Sequence, residues 1–252
     1  MRWTGSSRGF VIRWSSVRSE PRIDFVVPVY NEADNFEPMV RELYGKVPLD
    51  KRLLVVYDRD EDTTLPVARR LQSEFPGIEL VRNAHGRGVL NAIRTGIAAA
   101  TGDVVIVTMA DLSDDPSVVP AMVQQIRDGE ADVVIGSRYM KGGRQIGGPL
   151  LKRTLSRLAG LSLYWTGALR VHDATNAFRA YRREVLQSIE IESTAGFEYS
   201  LEVTAKAQAK GYRIAEVPST WRDRSAGESR FRLMKWLPQY LRWYWYALKN
   251  RR

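Results

Sequence analysis

Short apolar runs bounded by polar loops recur along this chain, and between them apolar residues fall at helical spacing. Ile23-Asp24-Phe25-Val26-Val27-Pro28-Val29-Tyr30 predicts a buried strand that ends in a loop. Residues 31–44 follow as a helix, with Glu32 and Asp34 near the positive end of its dipole. A second strand, Lys51–Tyr57, runs into the acidic loop Asp58-Arg59-Asp60-Glu61-Asp62. The alternation continues through a helix at 64–75, a strand at 78–81, a small-residue helix at 88–100, a strand at 103–108, a helix at 116–128 and a strand at 132–136. The pattern then loosens. Gly142-Gly143 and Gly147-Gly148-Pro149 mark a flexible loop, and a helix is expected over 150–166. A short stretch at 178–181, helices from Arg183 and over 198–210, and a strand at 213–217 complete the body.

Strands alternating with helices at this spacing predict an α/β domain on a mostly parallel, doubly wound, Rossmann-like twisted sheet flanked by helices. Such sheets bind ligands beyond the carboxyl ends of their strands, where Asp58 and Asp111 both fall. No internal repeat or low-complexity linker interrupts the chain. The expected organisation is one domain over 21–231, preceded by a basic segment at 1–20 that is a candidate for disorder. A basic, aromatic, amphipathic segment at 232–252 follows it.

The 252 residues are 44% hydrophobic and 27% charged, enough to bury one sizeable core. With no cysteine there is no disulfide framework, thiolate metal site or thiol nucleophile. His85 and His172 are the only histidines, so a metal would be held by oxygen, which points to Mg²⁺ or Mn²⁺. Residues 1–20 contain no apolar run of signal-peptide length, and no stretch reaches the roughly 20 apolar residues of a membrane span. Secretion and spanning are therefore not expected.

The net charge of +9 sits at the two ends. Arg2, Arg8, Arg13 and Arg18 oppose Glu20, and from Trp221 onward nine Lys or Arg oppose Asp223 and Glu228, leaving the body close to neutral. An anionic partner is expected at one end. Residues 235–249 mix Trp, Tyr and Leu with basic side chains, a composition that suits a helix lying in the headgroup plane of a membrane. Packing on its own domain or on a second copy of the chain is the alternative. Nucleic acid is disfavoured, because no recognition motif accompanies the charge.

Carboxylates at strand ends can hold a divalent cation, and that cation can neutralise a departing diphosphate. Asp111, with Ser113 beside it, is the best candidate. Asp114 and Asp115, in Ser113-Asp114-Asp115-Pro116, are expected mainly to cap the next helix.

Further segments fall into an ordered series between residues 23 and 231. It begins with Val27-Pro28-Val29-Tyr30-Asn31-Glu32, then Tyr57-Asp58-Arg59-Asp60-Glu61-Asp62-Thr63-Thr64, then Asn83, Gly86 and Gly88 ahead of a helix. Met109-Ala110-Asp111-Leu112-Ser113, Gly136-Ser137-Arg138-Tyr139 and Asp173-Ala174-Thr175-Asn176-Ala177-Phe178-Arg179 come next. Glu216-Val217-Pro218 followed by Arg224-Ser225-Ala226-Gly227-Glu228-Ser229-Arg230 closes the series. In this order the segments resemble the inverting family-2 glycosyltransferases of the dolichol-phosphate mannosyltransferase (polyprenyl-phosphate hexosyltransferase) group.

The resemblance implies a GT-A fold, a GDP- or UDP-hexose donor, and Mg²⁺ or Mn²⁺. It implies that Pro28, Tyr30, Glu32, Asp58, Gly88 and Asp111 line the donor, and that Asp111 and Ser113 hold the metal. Arg138, Asp173, Arg224, Gly227, Ser229 and Arg230 would bind the acceptor phosphate, with Asp111, Arg138 and Arg224 carrying the chemistry. Three features depart from the family. Met109 replaces the first Asp of its metal motif, Tyr57 and Arg59-Asp60 replace an Asp and Gly-Ser, and no membrane helices follow residue 231. The last resembles the soluble catalytic subtype, with the aromatic segment as a surface anchor.

A sugar hydroxyl must lose its proton as it attacks and needs a base, whereas a lipid phosphate, with a second pKa of about 6, is already anionic near neutral pH. The family's hydroxyl-activating Glu-Asp pair is absent, the nearest segment being Phe197-Glu198-Tyr199, so a phosphate acceptor is expected. Asp173 or Glu198 could serve as base in the hydroxyl alternative. The expected protein is thus a metal-dependent hexosyltransferase moving mannose or glucose to a polyprenyl or dolichyl phosphate, peripheral at the cytoplasmic face of the membrane. Transfer to a glycan or small-molecule hydroxyl, and a non-catalytic nucleotide-sugar or membrane-binding module, are the alternatives. Oligomeric state is open, a homo-oligomer included.

Overall fold

β1 (Ile23–Val29) is buried at all seven positions, the pattern of a central strand covered on both faces. It pairs in parallel with β2 (Lys51–Tyr57) on one side and β4 (Val104–Val107) on the other, and β2 pairs in parallel with β3 (Ile78–Arg82). The computed structural model describes residues 21–194, 196–223 and 233–251. Further along come β5 (Val133–Ser137), β6 (Arg144–Ile146), β7 (Arg179–Arg182), β8 (Ile214–Pro218) and β9 (Thr220–Arg222). Seven strands form one sheet in the order β3-β2-β1-β4-β7-β5-β8, parallel throughout except for β7, which runs against both β4 and β5.

Helices cover both faces. α1 (Ala33–Lys46), α2 (Thr64–Leu71) and α4 (Val119–Arg127) close one core with Phe36, Val40, Leu71, Met122 and Ile126. α3 (Val89–Ala99), α5 (Leu150–Trp165), α6 (Arg183–Ser188), α7 (Tyr199–Ala209) and α8 (Leu233–Lys249) close the other with Ile93, Leu163, Val185, Val203 and Trp243. This is the single α/β domain that the alternation of periods predicts.

Two stretches differ from expectation. The loop at 142–149 contains β6, which pairs in parallel with β9 as a second, small sheet. A three-residue strand between glycine pairs carries no readable period, and its partner lies more than 70 residues away in sequence. The helix expected at 116–128 opens instead with a 3-10 turn, Pro116–Val118, capped by the Asp115 carboxylate on the Ser117 N–H at 3.0 Å.

The aromatic segment forms α8, which packs against α5 and α7 and buries Trp243 and Ala247. Its opposite side leaves Leu241 and Trp245 exposed. No helix among the described residues is long and apolar enough to cross a membrane. The basic segment 1–20 lies outside the described residues.

Candidate active site

β1, β2, β4 and β5 run in one direction, so their carboxyl ends deliver Tyr30, Asp58, Asp111 and Arg138 to one edge of the sheet. The strand order reverses between β1 and β4, and the crevice beyond such a reversal is where open α/β sheets bind ligands.

On the β1–β2 side, the two loops are stitched together. Buried Asp62 accepts the Asn31 N–H with both oxygens, at 3.0 and 3.1 Å, and the Thr64 N–H at 2.9 Å. The Thr64 hydroxyl accepts the Glu32 N–H at 2.9 Å, and the Glu32 carboxylate accepts the Asn35 amide at 2.8 Å. Pro28 is buried inside β1 opposite Val56, two residues before Tyr30. The Arg59 guanidinium lies 4.9 Å from the centre of the Tyr30 ring and donates to its hydroxyl. Asp58 accepts the Asn83 side-chain amide at 2.8 Å and the Gly88 N–H at 2.9 Å. Gly88, immediately before α3, has φ 122°, a backbone that only glycine holds without strain.

Asp111 and Ser113 are buried beyond β4, with the Ser113 N–H donating to Asp111 Oδ1 at 3.2 Å. Leu112 between them has φ 61°, and Asn31 beyond β1 has φ 56°. A left-handed backbone costs a residue such as Leu112 about 1–2 kcal/mol and asparagine less, and both instances lie in the loops that follow the adjacent strands β1 and β4. Asp115 caps the next turn as expected, but Asp114 does not. Its carboxylate turns back to accept the Thr108 hydroxyl at 3.1 Å. Burial, and then the charge of Asp111, push the Asp114 pKa up to about 7.

Two mutually repelling carboxylates beside a hydroxyl fit a hard divalent cation, which would relieve their repulsion. Among the described residues no group of three or more acidic or histidine side chains gathers. A cation at Asp111 would therefore need further oxygens such as those of a phosphate, the usual arrangement for Mg²⁺. Met109 shares a small cleft with Met39, Leu43 and Leu112. Glu42, Thr108 and Asp114 line the same cleft, and the thioether, a soft donor, adds no hard ligand to them.

Beyond β5, Arg138 is locked onto Asp173. Its Nε lies 2.7 Å from Asp173 Oδ2 and its Nη2 2.9 Å from Oδ1, while its backbone N–H donates to Oδ2 at 3.0 Å. Nη2 also donates to the hydroxyls of Thr175 at 3.0 Å and of Ser156, on α5, at 3.3 Å. The N–H groups of Thr175 and Asn176 point at the same carboxylate. Asp173 is fully buried; burial alone would raise its pKa, but the charge and hydrogen bonds of Arg138 outweigh it and hold the carboxyl below the usual range. Arg138 in turn lowers, and Asp111 raises, the pKa of Asp114, which places the ion pair and the acidic loop in one electrostatic neighbourhood.

Residues 24–190 match the family described as glycosyl transferase family 2. The chain belongs to that family. A dolichol-phosphate mannosyltransferase of Pyrococcus furiosus is 31% identical over 233 residues, which cover 85% of this chain and 64% of that protein. The chain thus spans slightly less than two thirds of that relative. An undecaprenyl-phosphate mannosyltransferase of Micrococcus luteus is 29% identical over 83% of this chain and 87% of its own. Among solved structures, glucosyl-3-phosphoglycerate synthase from Mycobacterium tuberculosis, in complex with Mn²⁺, UDP and glucosyl-3-phosphoglycerate, aligns with a TM-score of 0.66 at 20% identity. The alignment covers 92% of this chain and 80% of that one, and the GT-A fold expected for family 2 is the fold observed.

Several residues that organise this family-2 site do so through contacts that no local sequence pattern shows. Glu216, on β8, accepts the N–H groups of His172 and Asp173, each at 2.9 Å, and bonds His172 Nδ1 at 2.7 Å. Its motif marks it, but its part in holding the Asp173 loop emerges only from strand pairing. Ser156 and Asp62 likewise act across long sequence separations. Glu198, at the start of α7, is fully buried, and burial first and then the Glu198 charge raise the pKa of the partly buried Tyr240 phenol. Glu202 accepts the N–H groups of Glu192 and Ser193 at 2.6 and 2.8 Å and pairs with Lys206 at 2.7 Å, which makes it a structural latch. Arg224, Gly227, Ser229 and Arg230 lie outside the described residues. Two positions before Arg224, the Arg222 N–H donates to the Ser113 carbonyl at 2.9 Å.

Proposed function

We propose that this family-2 chain is an inverting glycosyltransferase that moves a hexose, mannose or glucose, from a GDP- or UDP-sugar to a polyprenyl phosphate at the cytoplasmic face of a membrane. The observation that carries this reading is the Arg138–Asp173 pair, its carboxylate buried and its guanidinium 9% exposed, on the same sheet edge as Asp111. Asp173 fixes one side of the guanidinium, while Nη1 takes part in none of the bonds described and is the group offered to an acceptor phosphate. The Pyrococcus and Micrococcus relatives, both lipid-phosphate mannosyltransferases by name, support the same acceptor class.

In the proposed reaction an acceptor phosphate oxygen attacks the anomeric carbon opposite the nucleoside diphosphate. The new C–O bond forms as the old one breaks, the diphosphate leaves with the bonding electrons, and the centre inverts. No proton needs to be removed, because the attacking phosphate is already anionic at neutral pH. Asp173 would be a poor base for a hydroxyl: its carboxyl is held below the usual range and its oxygens are occupied by Arg138 and backbone N–H groups. Pro28, Tyr30, Glu32, Asp58 and Gly88 line the donor, and Asp111 with Ser113 holds Mg²⁺ or Mn²⁺. When bound, such a cation offsets charge on the departing diphosphate. Arg224, Gly227, Ser229 and Arg230 complete the phosphate-binding groups.

The test is transfer of radiolabelled hexose from GDP- and UDP-sugars, with Mn²⁺ or with EDTA, to polyprenyl phosphate and to sugar acceptors in parallel. Label is expected in the lipid fraction only, and only with the metal. Label in hydroxyl acceptors alone would replace the reading with glycan or small-molecule transfer. Nucleotide binding by calorimetry without turnover on any acceptor would make the chain a binding module.

A further inference from the structure

Nine large apolar side chains are exposed among the described residues, and eight of them lie on α5 and α8. On α5, Leu151, Leu155, Leu158 and Trp165 fall at i, i+4, i+7 and i+14, a single helical stripe. Their exposures, 66, 39, 54 and 71%, are those of residues facing water. Ser162 occupies the remaining place in the stripe and bonds the Tyr244 hydroxyl of α8 at 2.9 Å, so α8 lies directly beside it. Leu241 and Trp245, one turn apart on α8, extend the apolar face. A patch this concentrated marks a surface that is covered in use.

The charge around the patch selects the occupant. Neither α5 nor α8 contains a single Asp or Glu, whereas α5 contains Arg153 and Arg157 and α8 contains Arg242 and Lys249. A second copy docked by two-fold symmetry would set cationic helix against cationic helix, and the Glu192 carboxylate that reaches Arg242 of α8 is already shared with Lys206. An anionic lipid surface satisfies both features, taking Leu and Trp among the acyl chains and the basic side chains at the headgroups.

We propose that α5, flanked by α8, is the membrane-docking face of this protein, lying in the plane of an anionic bilayer with Leu151, Leu155, Leu158 and Trp165 inserted. The inner side of the same helix touches the site. Ser156 bonds Arg138, Tyr139 and Thr175. At Gly160 a Cβ would stand 2.3 Å from the His172 carbonyl oxygen, so only glycine lets the helix lie this close to the Asp173 loop. On the lipid-phosphate reading above, which this inference deepens, one helix thickness separates the bilayer surface from the Arg138 guanidinium. An acceptor phosphate then reaches the site without leaving its membrane.

The test uses the full chain and vesicles that contain no polyprenyl phosphate, so that it stands apart from the transfer assay. Co-sedimentation with phosphatidylcholine–phosphatidylglycerol vesicles is compared with phosphatidylcholine alone, for the wild type and for a Leu155→Glu/Leu158→Glu double variant. Thermal unfolding and nucleotide binding confirm that the variant is folded. The wild type is expected to bind the anionic vesicles, and the double variant to bind them at least about tenfold more weakly. Leu241→Glu/Trp245→Glu should weaken binding less. Equal binding of wild type and α5 variant overturns the proposal, as does a wild-type dimer that the α5 variant dissociates. Vesicle binding without sugar transfer would sink the acceptor reading and leave the docking face standing; transfer to detergent-dispersed lipid without vesicle binding would do the reverse.

Discussion

Around β1 and β2, site carboxylates are held largely by uncharged N–H groups, Asp62 by those of Asn31 and Thr64 and Asp58 by that of Gly88. Beyond β7 the corresponding element is a buried ion pair, Asp173 with Arg138, itself braced from below by Glu216. The two arrangements fail differently. An N–H that loses its acceptor costs about 1–3 kcal/mol, while a buried charge stripped of its counter-charge costs about 3–5 kcal/mol. The first region tolerates change and can be tuned, and the second is close to all-or-none.

The largest effect that would break this contrast is on stability. Asp173→Ala should lower unfolding free energy in urea by about 3–5 kcal/mol, because Arg138 is left charged without its partner, whereas Asp62→Asn, which keeps one acceptor oxygen for the Asn31 and Thr64 N–H groups, should cost about 1–3 kcal/mol. Equal losses would erase the distinction. Next comes activity. Asp111→Ala should reduce hexose transfer about 100-fold or more, as loss of a group stabilising developing charge does, with a urea midpoint close to the wild type.

The acid limb sharpens the comparison further. The Asp173 carboxyl titrates near 3.9 when unfolded, roughly its free value, and lower when folded. Its contribution is therefore fully present above about pH 4 and is lost as pH falls through the folded value. Asp24, kept low against burial by Arg52 and the N–H groups of Gly102 and Thr101, contributes with the same sign. Urea midpoints measured from pH 7 down to pH 3 should begin to converge for wild type and Asp173→Asn as pH falls below about 4. Parallel curves would remove Asp173 from the acid transition. The smallest effect belongs to the tunable region: Arg59→Gly, which removes the guanidinium over Tyr30, should shift unfolding by about 0.5–1 kcal/mol, read by thermal melting with and without nucleotide.

Most of the β1–β5 half was legible in the chain itself. β2 spans Lys51–Tyr57 as its apolar run predicts, and Asp58 and Asp111 lie just beyond strands because parallel, doubly covered strands are short, continuous apolar runs. Ordered motifs supplied the family, the fold and the candidate residues. What escaped was decided at a distance. The pairing of β6 with β9, the Arg138–Asp173 lock and the bracing by Glu216 join residues 35 or more apart in sequence, for which no local period exists. Asp114 escaped for a different reason: a Ser-Asp-Asp-Pro run reads as a cap, and only packing decides which of its two carboxylates turns inward. The exposed stripe of α5 was hidden because a period alone does not say which side of a helix meets the domain.

The reversed strand β7 has a geometric consequence. Inserted between two strands that share a direction, it sets the axes of β4 and β5 about 10 Å apart, two interstrand spacings. Were those two strands immediate neighbours, their terminal loops would crowd together and narrow the gap between the Asp111 loop and Arg138. A single strand laid the other way therefore acts as the shim that gauges the opening of the cleft.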